Sequence, residues 1–248
     1  MTEIDKTYID SKDYKHYTII TDEEKLKEFI NFLPELNRHE TFCCILFARP
    51  KYCKNIIHIK SNKQQMARFT SDKKHLFDKI KQLEIPIGYY KQGDTIIPQE
   101  ALVLYITINP RDTIKAIKKI QVELINLDLN CFYDLNALIF SSIQKSISYK
   151  KFADFDFDNV NINDIIKVFK NNNYINLDAL IFLETRGGCH ILVEFSKIQK
   201  QYERTWYKNL QNIFGIDINN KSQFIPVPGT YQGGFTPKLI TITNDTIL

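Results

Sequence analysis

A chain of 248 residues, 44% hydrophobic and 25% charged, has enough apolar material for one large domain or two small lobes, and its composition is that expected of an ordinary soluble globular protein. Its net charge of +4, from 33 Lys+Arg against 29 Asp+Glu, permits a nucleic-acid partner without demanding one. There is no apolar run of membrane-spanning length, residues 1–17 are polar rather than signal-like, and five cysteines lack a paired CxxC pattern, so reduced thiols in a cytoplasm are expected.

In chain order, residues 1–21 read as an arm or edge strand. Asp22 caps a helix running through 28–33, with acids in its first turn and Pro34 ending it. Residues 41–48 (TFCCILFA) form a buried strand, followed by Arg49, Lys51 and Lys54 interleaved with Pro50 and Tyr52, and 55–60 can pair back. Residues 63–83 read as a helix carrying Arg68, Lys73, Lys74, Lys79 and Lys81, either a phosphate-contacting face or a solvated one. A strand at 101–108 runs into Asn109-Pro110-Arg111, and Asp112 caps a helix from 113 to about 127. Another helix is expected at 134–145.

From residue 149 the pattern becomes strand, helix, strand, strand, helix, strand. The helices fall at 163–170 and 197–213, the inner strands at 179–185 and 189–195, and short Pro- and Gly-punctuated strands at 223–243. Split βαβ folds have this order, so the expected class is α+β: an N-terminal α/β lobe (1–148) and a second lobe (149–248) on a mostly antiparallel sheet. With 8 Gly and 8 Pro and no linker between them, the lobes read as one unit.

The stretch YKKFADFDFD places Asp154, Asp156 and Asp158 on one face of a strand, because side chains alternate at period two. Such neighbours stand roughly 7 Å apart at Cα and repel one another unless a cation is present. Oxygen ligands at that spacing suit Mg²⁺ or Mn²⁺, and the pair suits phosphoryl or nucleotidyl transfer. A solvated edge strand with outward acids fits the same pattern. The turn Thr185-Arg186-Gly187-Gly188 lets backbone N–H groups approach a phosphate, and Arg186 and His190 add charged donors; a structural His at a strand start is the alternative. Asp217 is the candidate third carboxylate, or a plain turn residue. Walker A, GxGxxG and GxSxG motifs are absent from the sequence.

These stretches resemble the archaeo-eukaryotic primase superfamily, the primase-polymerases. Phe152-Ala153-Asp154-Phe155-Asp156 matches its strand ending in D-h-D, with 156/158 as the alternative register. Gly188-Cys189-His190 matches its small-x-His motif in the longer form T-R-G-G-x-H, and Ile216-Asp217 its hydrophobic-acid motif. YITINPR (105–111) and PVPGTYQGG resemble its accessory elements. The resemblance implies the primase fold with an RRM-like catalytic lobe. It also implies template-directed nucleotidyl transfer on single-stranded DNA from nucleoside triphosphates, with two Mg²⁺ or Mn²⁺ ions. Asp154, Asp156 and Asp217 would bind metal. Thr185, Arg186, Gly188, His190, Lys238 and Arg111 would contact nucleotide. The helicase would be a separate protein, in a prokaryotic or phage-infected cell. A non-catalytic nucleic-acid-binding module retaining the fold is the principal alternative, and another metal-dependent phosphotransferase or nuclease is the third.

Overall fold

The computed structural model describes residues 15–53, 63–126, 134–214 and 224–241. The expected strand at 55–60, most of the arm at 1–21 and Asp217 lie outside the described residues.

Helix α1 (Glu23–Phe32) starts where Asp22 accepts a hydrogen bond from the Lys25 backbone N–H, and it buries Leu26, Phe29 and Ile30. Strand β1 (Glu40–Ala48) is buried along nearly its whole length. The expected helix at 63–83 divides: residues Gln64–Ser71 are strand β2, paired antiparallel with β1, and only Lys73–Lys81 form helix α2. Asp72 is the boundary, because its carboxylate caps the His75 N–H and fixes the helix start at Lys73. A small hairpin follows, β3 (Lys91–Gln92) with β4 (Thr95–Ile96). Next come β5 (Leu102–Thr107) and the two-residue β6 (Arg111–Asp112). Helices α3 (Thr113–Ile125) and α4 (Leu135–Lys145) begin at the side-chain caps Asp112 and Asp134.

The second half runs β7 (Phe152–Asp158), α5 (Ile162–Asn171), β8 (Leu180–Thr185), β9 (Gly188–Glu194) and α6 (Trp206–Phe214). The expected helix at 197–213 forms only from Trp206. Before it, the Asn176 amide bonds both the Lys197 carbonyl and the Gln199 N–H and holds that segment out of helical geometry. Strands β10 (Phe224–Pro226) and β11 (Lys238–Thr241) complete the chain.

The strands form two main sheets, β10-β5-β1-β2 with β6 beside β1, and β11-β8-β9-β7, every pair antiparallel. The fold is therefore α+β with antiparallel sheets. The split βαβ unit is present, since β9 lies between β7 and β8. The last strand differs from an RRM-like order, in which it would lie beside the first: β11 pairs with β8. The tail is shared between the sheets, because β10 returns to β5.

Alternation along β7 sorts its residues between two environments. Phe155 and Phe157, with Cys189, Ile191 and Phe182, pack under α5 and α6 against Ile165, Ile166, Phe169 and Leu210. On the other face Phe152, with Ile181, Leu183 and Leu192, joins the core formed by Phe42, Leu46, Leu104, Phe29 and Leu76. One apolar core thus ties the sheets together at one end of β7 and leaves the other end for the acids.

Two polar clamps fix this arrangement. The Asn109 amide accepts from the Lys151 and Phe152 N–H groups and donates to the Phe152 carbonyl, all at 2.8–2.9 Å, so it docks the start of β7 on the end of the first sheet. The Gly229 carbonyl accepts from the Thr21 and Asp22 N–H groups at 3.0 Å, so the Pro-Gly-Thr segment holds the start of α1. The described Cys43, Cys44, Cys53 and Cys189 are free thiols. Among the described residues no helix is long and apolar enough to cross a membrane.

Candidate active site

At the acidic end of β7 the register sets Asp156 opposite His190 and Asp158 opposite Gly188. The three aspartates share a face and divide into two roles. Asp154 is buried, its side chain 7% exposed, and its carboxylate takes the His190 Nδ1 at 2.9 Å. Asp156, with a side chain 41% exposed, and Asp158 line an open cleft. The other imidazole nitrogen, Nε2, stands 3.5 Å from Asp156.

Burial opposes a charge on His190, but the Asp154 charge and hydrogen bond outweigh it, with Asp156 and Asp158 adding to the effect, so its pKa lies above the ordinary histidine value. Burial also raises Asp156, and the adjacent Asp154 and Asp158 carboxylates reinforce this against the pull of His190. A carboxylate destabilised by burial and by like charges is one that a divalent cation would relieve.

The hairpin turn between β8 and β9 closes against β7. A Cβ at Gly188 would lie 1.9 Å from the Phe157 carbonyl oxygen, so only glycine allows the strands to meet there. The Asn159 N–H donates to the Gly187 carbonyl at 2.7 Å. Thr185 and Gly187 line the cleft beside Asp156 and Asp158.

The opposite wall is basic and aromatic. Arg49, Lys51 and Tyr52 come from the turn after β1, Lys63 from the start of β2, Tyr105 from β5, and Phe224 and Pro226 from the edge strand β10. Together the walls enclose about 170 Å³. Arg49 donates to the Tyr105 hydroxyl at 2.8 Å, while its buried Nε has no hydrogen-bond partner. Burial and then the Arg49 charge pull the Lys63 ammonium below the usual lysine range, although Asp156 and Asp158 oppose that shift.

Arg186 does not enter this space as a free cation. Its guanidinium stacks 4.7 Å from the centre of the Tyr52 ring, and its backbone N–H donates to the buried Gln232, whose amide in turn donates to the Tyr52 hydroxyl. Gly233, at φ +57°, packs behind this stack, where a Cβ would lie 2.4 Å from the guanidinium and 2.6 Å from the Tyr52 ring. The Gln-Gly-Gly segment of the tail is therefore a back plate for the Thr-Arg-Gly-Gly turn.

Of the sequence candidates, the fold brings together Asp154, Asp156, Asp158, Thr185, Gly188 and His190, with Arg186 one layer behind. Arg111 and Lys238 are placed elsewhere. Arg111 is fully buried beside Cys43, and its guanidinium nitrogens have no hydrogen-bond partner. Lys238 pairs with Glu184 at 2.9 Å, on the sheet face opposite the carboxylates, because it lies across from Glu184 in the β11–β8 register. Three of the four lysines of α2 hold partners: Lys73 bonds the Leu33 carbonyl, Lys79 the Thr70 carbonyl, and Lys81 pairs with Glu84.

Sequence reasoning assigned no role to Tyr52, Lys63, Tyr105 or Gln232. It noted Arg49 and Lys51 only as a basic run, although bases interleaved with an aromatic residue were the available signal. Among the described residues no three His, Cys, Asp or Glu side chains form a ready-made metal cluster. No family model, curated protein or solved structure matches this chain.

Proposed function

We propose that the chain is a template-dependent nucleotidyltransferase, a primase-polymerase that makes or extends primers on single-stranded DNA. The observation that carries the reading is the cleft itself: two carboxylates and a carboxylate-oriented histidine face Arg49, Lys51 and Lys63 across a space of about 170 Å³. Acids and bases kept apart in one cleft suit a ligand bearing both a cation and a polyphosphate.

On this reading Asp156 and Asp158 would hold Mg²⁺ or Mn²⁺, which makes the second register of the D-h-D motif the functional one. Asp217 remains the candidate further ligand, outside the described residues. A bound ion would supply charge neutralisation on the triphosphate and on the attacking and leaving oxygens. The chain's own residues do the rest. Asp154 fixes the imidazole of His190 by holding the proton on Nδ1. Arg49, Lys51 and Lys63 bind phosphate oxygens through charge-assisted hydrogen bonds. The Arg186–Tyr52–Gln232 stack holds the wall to which the turn is attached.

The non-catalytic alternative draws on the lack of a three-ligand cluster among the described residues. A synthesis assay on single-stranded DNA with labelled nucleotides, run with Mg²⁺ or Mn²⁺ and with and without an annealed primer, separates the two. Metal-dependent product from the wild type and none from an Asp156→Asn, Asp158→Asn double variant is the expected result. No product with either template, while DNA binding persists, would replace the enzyme with the binding module.

A further inference from the structure

The hairpin β3–β4 is anchored firmly and capped by apolar side chains that the core does not use. Tyr90 is buried, stacks 4.9 Å from Tyr17 and donates its hydroxyl proton to the Leu83 carbonyl. The Ile97 N–H closes the stem on the Tyr90 carbonyl at 2.9 Å, and Tyr17 donates to the Ile97 carbonyl at 2.7 Å. Immediately beside these anchors Tyr89 is 73% exposed, and Ile87 and Ile96 are 40% and 51% exposed. An aromatic ring held out on an anchored backbone loses little freedom when it binds, which is what a stacking surface requires.

The position of the hairpin says what would stack there. The Gln92 amide donates to the Gln64 side chain at 3.3 Å, and Gln64 follows Lys63 on the basic wall of the cleft. Lys91 is exposed two residues from Tyr89, and Lys15 is joined to the same segment by its carbonyl, which accepts from the Ile87 N–H. The acid of the hairpin, Asp94, sits at its turn. An aromatic ring beside lysines, continuous with a basic cleft wall, matches alternating bases and phosphates of a single strand. A protein partner would leave the cationic continuity to the cleft unexplained.

We propose that Tyr89 is a stacking platform for the single-stranded DNA template, with Lys91 contacting its backbone, beside the basic wall of the cleft. The inference rests on the template-dependent reading above for the identity of the strand. It is tested by fluorescence anisotropy of a labelled oligo-dT and of a duplex of the same length. Binding is measured without nucleotide or metal, on wild type, Tyr89→Ala, Tyr89→Phe and Lys91→Ala. The platform requires wild-type preference for the single strand, about tenfold weaker binding by Tyr89→Ala, and retention by Tyr89→Phe. Lys91→Ala should lower the salt slope by about 0.7. Equal affinities of wild type and Tyr89→Ala would overturn the platform, and synthesis by the same preparations would show that the enzymatic reading survives. Tyr89-dependent binding without any metal-dependent synthesis would uphold the platform and remove the enzymatic reading.

Discussion

The two walls of the cleft are built differently. The acidic wall comes from one stretch of strand and the strand beside it, so a handful of consecutive residues contains its chemistry, and period-two alternation suffices to place Asp154, Asp156 and Asp158 together. The basic wall gathers Arg49 and Lys51 from the turn after β1, Lys63 from just before β2 and Tyr105 from β5. Contiguous chemistry can be read locally. Dispersed chemistry depends on strand pairings that a single sequence does not display. Both walls are stressed by burial and like charge, Asp156 by its neighbouring carboxylates and Lys63 by Arg49 and Lys51, and the basic wall adds aromatic contacts and a hydrogen bond from Arg49 to the Tyr105 hydroxyl.

The largest effects are expected on the acidic wall. Asp156→Asn should lower the rate of metal-dependent synthesis by about 10²–10³-fold, measured on primed single-stranded DNA, because it removes a charge that acts on the reacting phosphates. An unaltered rate would mean that the carboxylate does no chemistry.

Gly188→Ala tests the joint that holds this wall. A Cβ 1.9 Å from a backbone oxygen forces β7 and β9 apart, and a loss of about 3 kcal/mol or more in urea unfolding is expected. Asn109→Ala should cost about 2–3 kcal/mol in the same measurement, since it leaves the buried N–H and carbonyl of Phe152 and the half-buried N–H of Lys151 without their partner. A change within 0.5 kcal/mol, about the size of an ordinary surface substitution, would show that the clamp is dispensable.

On the basic wall, Lys63→Ala should raise the KM for nucleotide by about tenfold and leave kcat nearly unchanged, as expected for a phosphate contact. Lys238→Ala is the paired control and should leave KM as it was, because Lys238 faces Glu184. The reverse ranking would place the phosphates on the other face of the sheet.

The smallest effect expected is one of pH. With its pKa raised above 6.5, His190 contributes stability that is full below pH 6.5 and is lost as pH rises through its folded-state value. Proton NMR of the imidazole should show titration above 6.5 in the wild type and a lower value in Asp154→Asn. Titration of the wild type at or below 6.5 would remove the ion pair.

Much of the fold was legible because local signals agreed. Asp22, Asp112 and Asp134 each start a helix by capping it, and apolar runs at β1 and β5 become buried strands. Residues 64–71 misled because Gln, Met, Ala and Arg suit helices, and pairing with β1 overrode that propensity. Lys63 was hidden by the same error, since it read as one more base on a helical face. Lys238 was misplaced because the sequence does not reveal the register of β11. Asn109 was noticed as part of Asn-Pro-Arg, but its work is to clamp β7, and Arg111 beside it is buried away from the cleft.

The most direct measurement of whether both walls serve one ligand is calorimetric titration of a nucleoside triphosphate, with and without Mn²⁺, into wild type, Asp156→Asn and Lys63→Ala. Metal should tighten binding at least about tenfold in wild type and in Lys63→Ala but leave Asp156→Asn unchanged, while Lys63→Ala binds more weakly under both conditions. A wild-type Kd that is the same with and without metal would contradict a shared metal–triphosphate site.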